Sequence, residues 1–156
     1  MNKPWLGQYP AGVPSEIDCQ KFSSLKEMLS VTCARYGDLP AYRSMGTAMT
    51  FREIDEASRA FAAWLQKVAK LQRGDRVALM MPNLLQYPAV LFGVRRAGMV
   101  VVNVNPLYTP RELNHQLKDS GAETIIVMET FAKTLQDSLA GTQVKRIVLT
   151  QIGDLL

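Results

Sequence analysis

The spacing of apolar residues along the chain changes near residue 74. Before this point apolar side chains recur every three or four positions over residues 24–37 and 50–70, which predicts two amphipathic helices. After it the predicted segments alternate: strands at 76–81, 100–104, 124–128 and 146–150, with helices at 84–97, 110–120 and 130–140. The strand segments are continuous apolar runs, which indicates that both of their faces are covered.

This alternation of strands and helices predicts an α/β fold with a mostly parallel sheet flanked by helices and joined by right-handed crossovers. Two short β-like runs around Gly46 predict a small β-hairpin over residues 41–51. Residues 1–22 contain three prolines, which predict an extended arm that lies on the surface through its aromatic residues. We therefore divide the chain into an arm, residues 1–22, and an α/β domain, residues 23–156.

Three helix starts have a Ser or Thr followed three residues later by Glu, the pattern of a capping box. These boxes begin at Ser24, Thr50 and Thr109. At the third of them, Tyr108 is expected to pack on Leu113 as a hydrophobic staple. Asn83 is expected to cap a helix that begins at Leu84.

The charge and composition of the chain indicate which partners and which cellular location to expect. The formal charge is +4, and the basic residues are dispersed along the sequence without a Lys/Arg-rich run interleaved with aromatics, so we expect no nucleic-acid partner. A weak attraction to an anionic membrane surface remains open. Residues 77–94 carry no charge, but prolines interrupt them, so we expect a strand and a buried helix instead of a transmembrane span. We expect no signal peptide, and the two cysteines are expected to be reduced thiols of a cytoplasmic protein.

Ligands of parallel α/β sheets usually bind beyond the carboxyl ends of the strands. Asn103 and Asn105 lie at such an end and are candidate substrate-binding residues, although bracing of a neighbouring loop is the favoured interpretation. His115, the only histidine, lies among charged residues, so we expect it to be solvated. No glycine-rich dinucleotide motif is present in the sequence. We expect neither a catalytic residue nor a metal site in this chain.

Four segments of the sequence carry a resemblance: "WLGQYPAGVPSEID" (5–18), "MTFREIDEASRAFAAWLQ" (49–66), "GDRVALMMPN" (74–83) and "LFGVRRAGMVVVNVNPLYTPRELNHQLKDSGAETIIV" (91–127). They resemble a known family, the adenylate-forming enzymes, and in particular its bacterial long-chain fatty-acid–CoA ligases. The resemblance implies the N-terminal subdomain of the adenylate-forming fold. It also implies a two-step reaction: a fatty acid attacks Mg²⁺-bound ATP to give acyl-adenylate and diphosphate, and CoA then displaces AMP.

The resemblance places the catalytic machinery outside this chain, because a loop like "YTGGTTG-x-x-K" is absent from the sequence. We therefore expect the N-terminal portion of a ligase that needs ATP, Mg²⁺ and CoA, and we expect the isolated portion to be inactive. Lys133 is the one residue the resemblance brings near CoA, and an exposed helix-start lysine is the favoured alternative.

The resemblance also implies contact with the cytoplasmic face of the inner membrane and, in some members, a homodimer. Two other readings stay open: a non-catalytic interaction or oligomerisation module, and a ligase for another carboxylic acid.

Overall fold

The computed structural model describes residues 3–155. In chain order the helices and strands are α1 (Leu25–Tyr36), β1 (Pro40–Ser44), β2 (Thr47–Thr50), α2 (Phe51–Lys67), β3 (Arg76–Met80), α3 (Gln86–Arg96), β4 (Val100–Asn103), α4 (Pro110–Ser120), β5 (Thr124–Met128), α5 (Ala132–Ser138) and β6 (Arg146–Thr150). Short 3₁₀ helices occupy Pro4–Gln8 and Glu129–Phe131. The expected α/β fold is confirmed.

The four strands after residue 74 form one parallel sheet in the order β4-β3-β5-β6. Its two faces bury separate apolar clusters. On one face Val77 and Leu79 pack with Leu65 of α2 and Val94 of α3. On the other face, alternate residues of the same strands pack with α4 and α5. Because helices cover both faces of β3 and β5, these central strands are continuous apolar runs, as the sequence predicts.

The predicted hairpin is confirmed as the antiparallel pair β1–β2. Its turn residues Met45 and Gly46 both have positive φ, 49° and 84°, as a two-residue turn needs in order to match the twist of the strands. The hairpin lies against a third apolar cluster in which Leu29 of α1, Ile54 of α2 and Leu85 meet.

Two of the three capping boxes form as predicted. Thr50 accepts from the amide of Glu53 while the Glu53 carboxylate accepts from the Thr50 amide, and Thr109 and Glu112 repeat this exchange. At α1 the reciprocal bond differs. The Glu27 carboxylate accepts from the amide of Ser23, at 2.7 Å, one residue before the predicted partner Ser24.

Other local predictions are wrong. Asn83 does not cap a helix, because α3 begins at Gln86 and its N-cap position is Leu85, which makes no side-chain cap bond. The proline at position 88 lies in the first turn of α3, where backbone N–H groups have no partner within the helix. Because proline has no N–H, the first turn has one donor fewer for a polar cap to satisfy. The arm is helical rather than extended over Pro4–Gln8, since Pro4 stands at a position whose fixed φ suits a helix start.

Candidate functional site

The loops that follow β3, β4, β5 and β6 meet at the carboxyl edge of the sheet, the edge where parallel α/β sheets usually bind ligands. The polar side chains at this edge are amides, hydroxyls, two carboxylates and one lysine. They comprise Asn83, Tyr87, Asn103, Asn105, Glu129, Lys133, Thr150 and Asp154.

Asn103 holds two helices against the end of β4. Its side-chain oxygen accepts a hydrogen bond from the Tyr87 hydroxyl of α3 at 2.8 Å, and its backbone carbonyl accepts from the Gln116 amide of α4 at 2.9 Å. Partial burial raises the pKa of the Tyr87 hydroxyl, which keeps it protonated and able to donate. These contacts support the loop-bracing interpretation of Asn103.

Asn105 makes hydrogen bonds to residues of its own loop. Its side-chain oxygen accepts from the amide of Leu107 at 3.0 Å, and its carbonyl accepts from the amide of Tyr108 at 3.2 Å. This is the Asx-type turn expected of an asparagine that begins a loop. Tyr108 then packs on the apolar cluster that contains Leu113, as the predicted staple requires. No hydrogen bond joins Asn103 to Asn105 within residues 3–155.

A second set of polar contacts at this edge is centred on Gln86. Its amide donates to the carbonyl of Gln151 at 2.6 Å and to the Thr150 hydroxyl at 3.3 Å. Asp154 accepts from the Gln151 amide, which lowers the pKa of its carboxyl group, and Gln151 in turn donates to Glu129. The only signal of this network in the sequence is a glutamine, Gln86, inside the uncharged run 77–94, and no sequence pattern predicts its distant partners.

The remaining candidates are solvent-facing. Lys133 is 77% exposed in its side chain and pairs with Asp137, one turn later in α5, at 2.9 Å. His115 is exposed on α4, in agreement with the expected solvated histidine. It lines an open groove of about 730 Å³ along this helix, together with Tyr108 and Arg111.

The edge is built to hold loops in place by hydrogen bonds to amides and hydroxyls. Within residues 3–155 no cluster of three or more His, Cys, Asp or Glu side chains has the arrangement of a metal site. A small apolar cavity of about 140 Å³ lies between the hairpin and α3, lined in part by Tyr42, Leu85 and Tyr87. Among the residues described, no helix is long and apolar enough to cross a bilayer.

The chain is similar to known proteins over most of its length. The family model of the AMP-binding enzymes matches residues 29–155, most of the chain. The chain belongs to the family of AMP-binding enzymes. The match begins within α1 and runs to the end of the polar network at Asp154, so it includes the whole parallel sheet and its carboxyl edge.

Individual relatives agree with the family. This AMP-binding family member is 61% identical over all of its 156 residues to a long-chain-fatty-acid–CoA ligase of Yersinia pestis, and 37% identical over 155 residues to one of Bacillus subtilis. A 4-coumarate–CoA ligase of Pinus taeda is 34% identical over 106 residues. The chain spans 28% of the length of the Yersinia relative and 27% of the Bacillus relative.

Solved structures show the same fold. A long-chain-fatty-acid–CoA ligase from Archaeoglobus fulgidus superposes with a TM-score of 0.74 at 25% identity, covering 81% of this chain and 27% of that one. A luciferase-like enzyme from Zophobas morio has a TM-score of 0.78 at 25% identity, covering 86% of this chain and 33% of that one. The expected N-terminal subdomain of the adenylate-forming fold is therefore confirmed.

Proposed function

We propose that this chain is the amino-terminal part of a long-chain fatty-acid–CoA ligase. The whole enzyme converts ATP, a fatty acid and CoA into acyl-CoA, AMP and diphosphate through an acyl-adenylate. The observation that carries this proposal is the 61% identity to the Yersinia pestis relative, which extends over the whole chain and is not confined to one motif.

We expect the sites for the nucleotide and for Mg²⁺ to lie outside the described residues. A triphosphate is usually held by consecutive backbone N–H groups of a glycine-rich loop, and the sequence has no such loop. Lys133, the candidate cation for CoA, has its charge paired with Asp137. We therefore assign no step of the reaction to these residues. Their role in the proposal is to form one wall of the large domain and to brace the loops at its carboxyl edge.

Acyl-CoA formation by two proteins tests the proposal: the 156-residue chain alone, and the product of the complete reading frame that contains it. We expect ATP-dependent formation of oleoyl-CoA and fatty-acid-dependent exchange of diphosphate into ATP only with the longer protein. Turnover by the 156-residue chain would contradict the expected inactivity. A stop codon directly after Leu156, together with an inactive chain, would favour the non-catalytic interaction module.

The acid substrate needs its own test, because the relatives include a 4-coumarate–CoA ligase as well as fatty-acid ligases. We propose long-chain fatty acids, since the fatty-acid ligases match more of the chain at higher identity. Profiling the longer protein with saturated acids of graded length and with aromatic acids should give the highest kcat/KM for long chains. A preference for 4-coumarate or benzoate would show that the longer protein is a ligase for another carboxylic acid.

Lys133 remains a candidate for CoA binding. In the longer protein, Lys133→Ala should raise the KM for CoA severalfold and leave the KM for ATP unchanged if its ammonium group meets a CoA phosphate. Asp137→Asn is the matched variant: it frees Lys133 from its ion pair and should not weaken CoA binding. An unchanged KM for CoA in Lys133→Ala would show that this lysine is an exposed residue at a helix start without a role in CoA binding.

We also propose peripheral contact with an anionic membrane surface at the cytoplasmic face of the inner membrane, and we keep a homodimer as a further proposal. The chemistry of the substrate supports the membrane contact, because long-chain acids partition into bilayers. The net charge of +4 has the sign that an anionic surface attracts.

A further inference from the structure

The amino edge of the sheet, opposite the candidate functional site, has its own surface. Helices α2 and α3 end at this edge, where β3 and β4 begin. Two hydrogen bonds join the connecting loops: the Gly74 amide donates to the Gly98 carbonyl at 3.0 Å, and the Val100 amide donates to the Asp75 carbonyl at 2.9 Å. The loop between α2 and β3 is thus fixed to its neighbour.

Positive charge is concentrated in this part of the chain. From residue 57 to residue 110 the sequence contains seven basic residues and a single acidic one, Asp75, although the whole chain has 18 basic and 14 acidic residues. Four of the basic residues recur at every third position, at Lys67, Lys70, Arg73 and Arg76. None of these four forms an ion pair within residues 3–155. These four basic residues therefore lie close together in a short stretch of the chain, from the end of α2 to the start of β3.

Apolar side chains lie beside these charges. Val68, directly after α2, is 64% exposed, and Trp64 is 37% exposed. The Trp64 ring stacks on Phe61 with the centroids 5.8 Å apart, so part of its indole is packed while the rest faces solvent. We define the basic edge as Trp64, Lys67, Val68, Lys70 and Arg73.

The backbone at Lys70 adds a further observation. Its φ is +57°, a left-handed conformation that is strained for a residue with a Cβ and almost unstrained for glycine. The fold alone would favour glycine here, so the lysine is present at some cost to stability. A basic residue in the last turn of a helix interacts favourably with the helix dipole, which explains the lysine at position 67. This effect does not explain Lys70 or Arg73, which lie beyond the last turn of α2.

We propose that the basic edge binds an anionic lipid bilayer, with Trp64 and Val68 entering the interfacial region and the basic residues contacting lipid phosphates. Unpaired lysine and arginine beside an exposed tryptophan and valine fit such a surface. Duplex DNA is bound mainly through its phosphates and does not require an exposed tryptophan and valine beside the basic residues, whereas a bilayer interface takes up such side chains, which favours lipid over nucleic acid. The inference rests on the membrane contact proposed above and is independent of acyl-CoA formation.

Co-sedimentation with vesicles tests this surface, using the product of the complete reading frame without ATP or fatty acid. Binding is expected to phosphatidylcholine vesicles that contain about one-third phosphatidylglycerol, and to weaken as salt is added. Lys67→Gln and Arg73→Gln should each reduce the affinity about fivefold. Arg111→Gln, which removes a basic residue at the opposite edge of the sheet, is the matched control and should bind as the parent does.

Lys70→Gly separates charge from folding. It removes the charge while relieving the left-handed strain, so the vesicle affinity should fall about fivefold while the stability to urea does not fall. In the 156-residue chain with Trp5→Phe, Trp64 is the only tryptophan, and its emission should shift to the blue with anionic vesicles but not with pure phosphatidylcholine.

Three results would overturn the proposal: equal binding to both kinds of vesicle, unchanged binding by the three basic-edge variants, or no blue shift of Trp64. Loss of duplex DNA binding in these variants, without vesicle binding by the parent, would assign the basic edge to nucleic acid. A ligase assay on the same preparations keeps the two proposals apart, because vesicle binding without acyl-CoA formation contradicts only the proposed enzyme activity.

Discussion

Arg96 is the most deeply buried partner in the described ion pairs. Its guanidinium group, 6% exposed in its side chain, bonds to the Asp55 carboxylate and donates to the Ser58 hydroxyl at 2.9 Å, which joins the end of α3 to α2. Removing one partner of a buried pair leaves an uncompensated charge in a poorly solvated place. These residues therefore have more influence on stability than the exposed ion pairs do.

We predict that Asp55→Ala lowers the free energy of unfolding by about 3 kcal/mol, because Arg96 stays buried without its partner. Arg59→Ala is the control: its exposed guanidinium pairs with the same carboxylate and should contribute less than about 1 kcal/mol. Urea unfolding followed by circular dichroism measures both. Equal losses in the two variants would show that the burial of Arg96 does not decide the effect.

Sequence patterns predict the contacts of a side chain with its near neighbours in the chain well and its distant contacts poorly. The Asn105 turn and the Thr109 cap involve partners two or three residues away, which a sequence motif can contain. Gln86 and Thr150 are 64 residues apart, and only the order of the strands brings them together. Asn83 has the right residue type for a cap, but packing of Leu84 and Leu85 in the apolar clusters decides where α3 begins.

The two complete capping boxes make the starts of α2 and α4 sensitive to acid. Hydrogen bonds from Thr50 and from Thr109 lower the pKa values of the Glu53 and Glu112 carboxyl groups in the folded state. A carboxyl group whose pKa is lower in the folded state stabilises the fold above its unfolded value, near 4.3, and loses that effect as the pH falls through its folded value.

We predict that Glu53→Gln with Glu112→Gln makes stability less dependent on pH below about 5. The parent should lose more stability than the double variant between about pH 5 and pH 3, measured as the shift of the urea midpoint. Glu56→Gln, on the exposed face of α2, is the control and should retain the slope of the parent. An unchanged slope in the double variant would mean that other carboxyl groups dominate acid unfolding.

The elements themselves follow closely from the sequence. All four parallel strands and the hairpin were predicted, because continuous apolar runs and a turn that needs positive φ leave few alternatives. The outer helical residues were predicted less well. Leu25 and Val68 fit the apolar spacing of α1 and α2 but are exposed, since spacing does not show where the neighbouring element stops covering a helix.

The outer strand β6 is incompletely covered by the rest of the described chain. Within the described residues β6 pairs only with β5, so its other edge has free backbone groups. Ile147 and Leu149 lie on the same sheet face as the buried Ile125 and Val127 but are 46% and 57% exposed. An apolar strand with a free edge promotes association between chains unless another segment covers it.

We predict that the 156-residue chain self-associates through β6 and that Leu149→Lys makes it monomeric, because a charge on an edge strand opposes pairing with a second chain. Leu107→Lys, in an exposed loop, is the matched control and should not change the association. Sedimentation velocity over a range of concentrations measures both variants.

In the longer ligase that we propose, further chain would cover this strand, so Leu149→Lys should there lower the thermal stability. A monomeric 156-residue chain would contradict the first expectation, and an unaffected longer protein would show that β6 stays exposed.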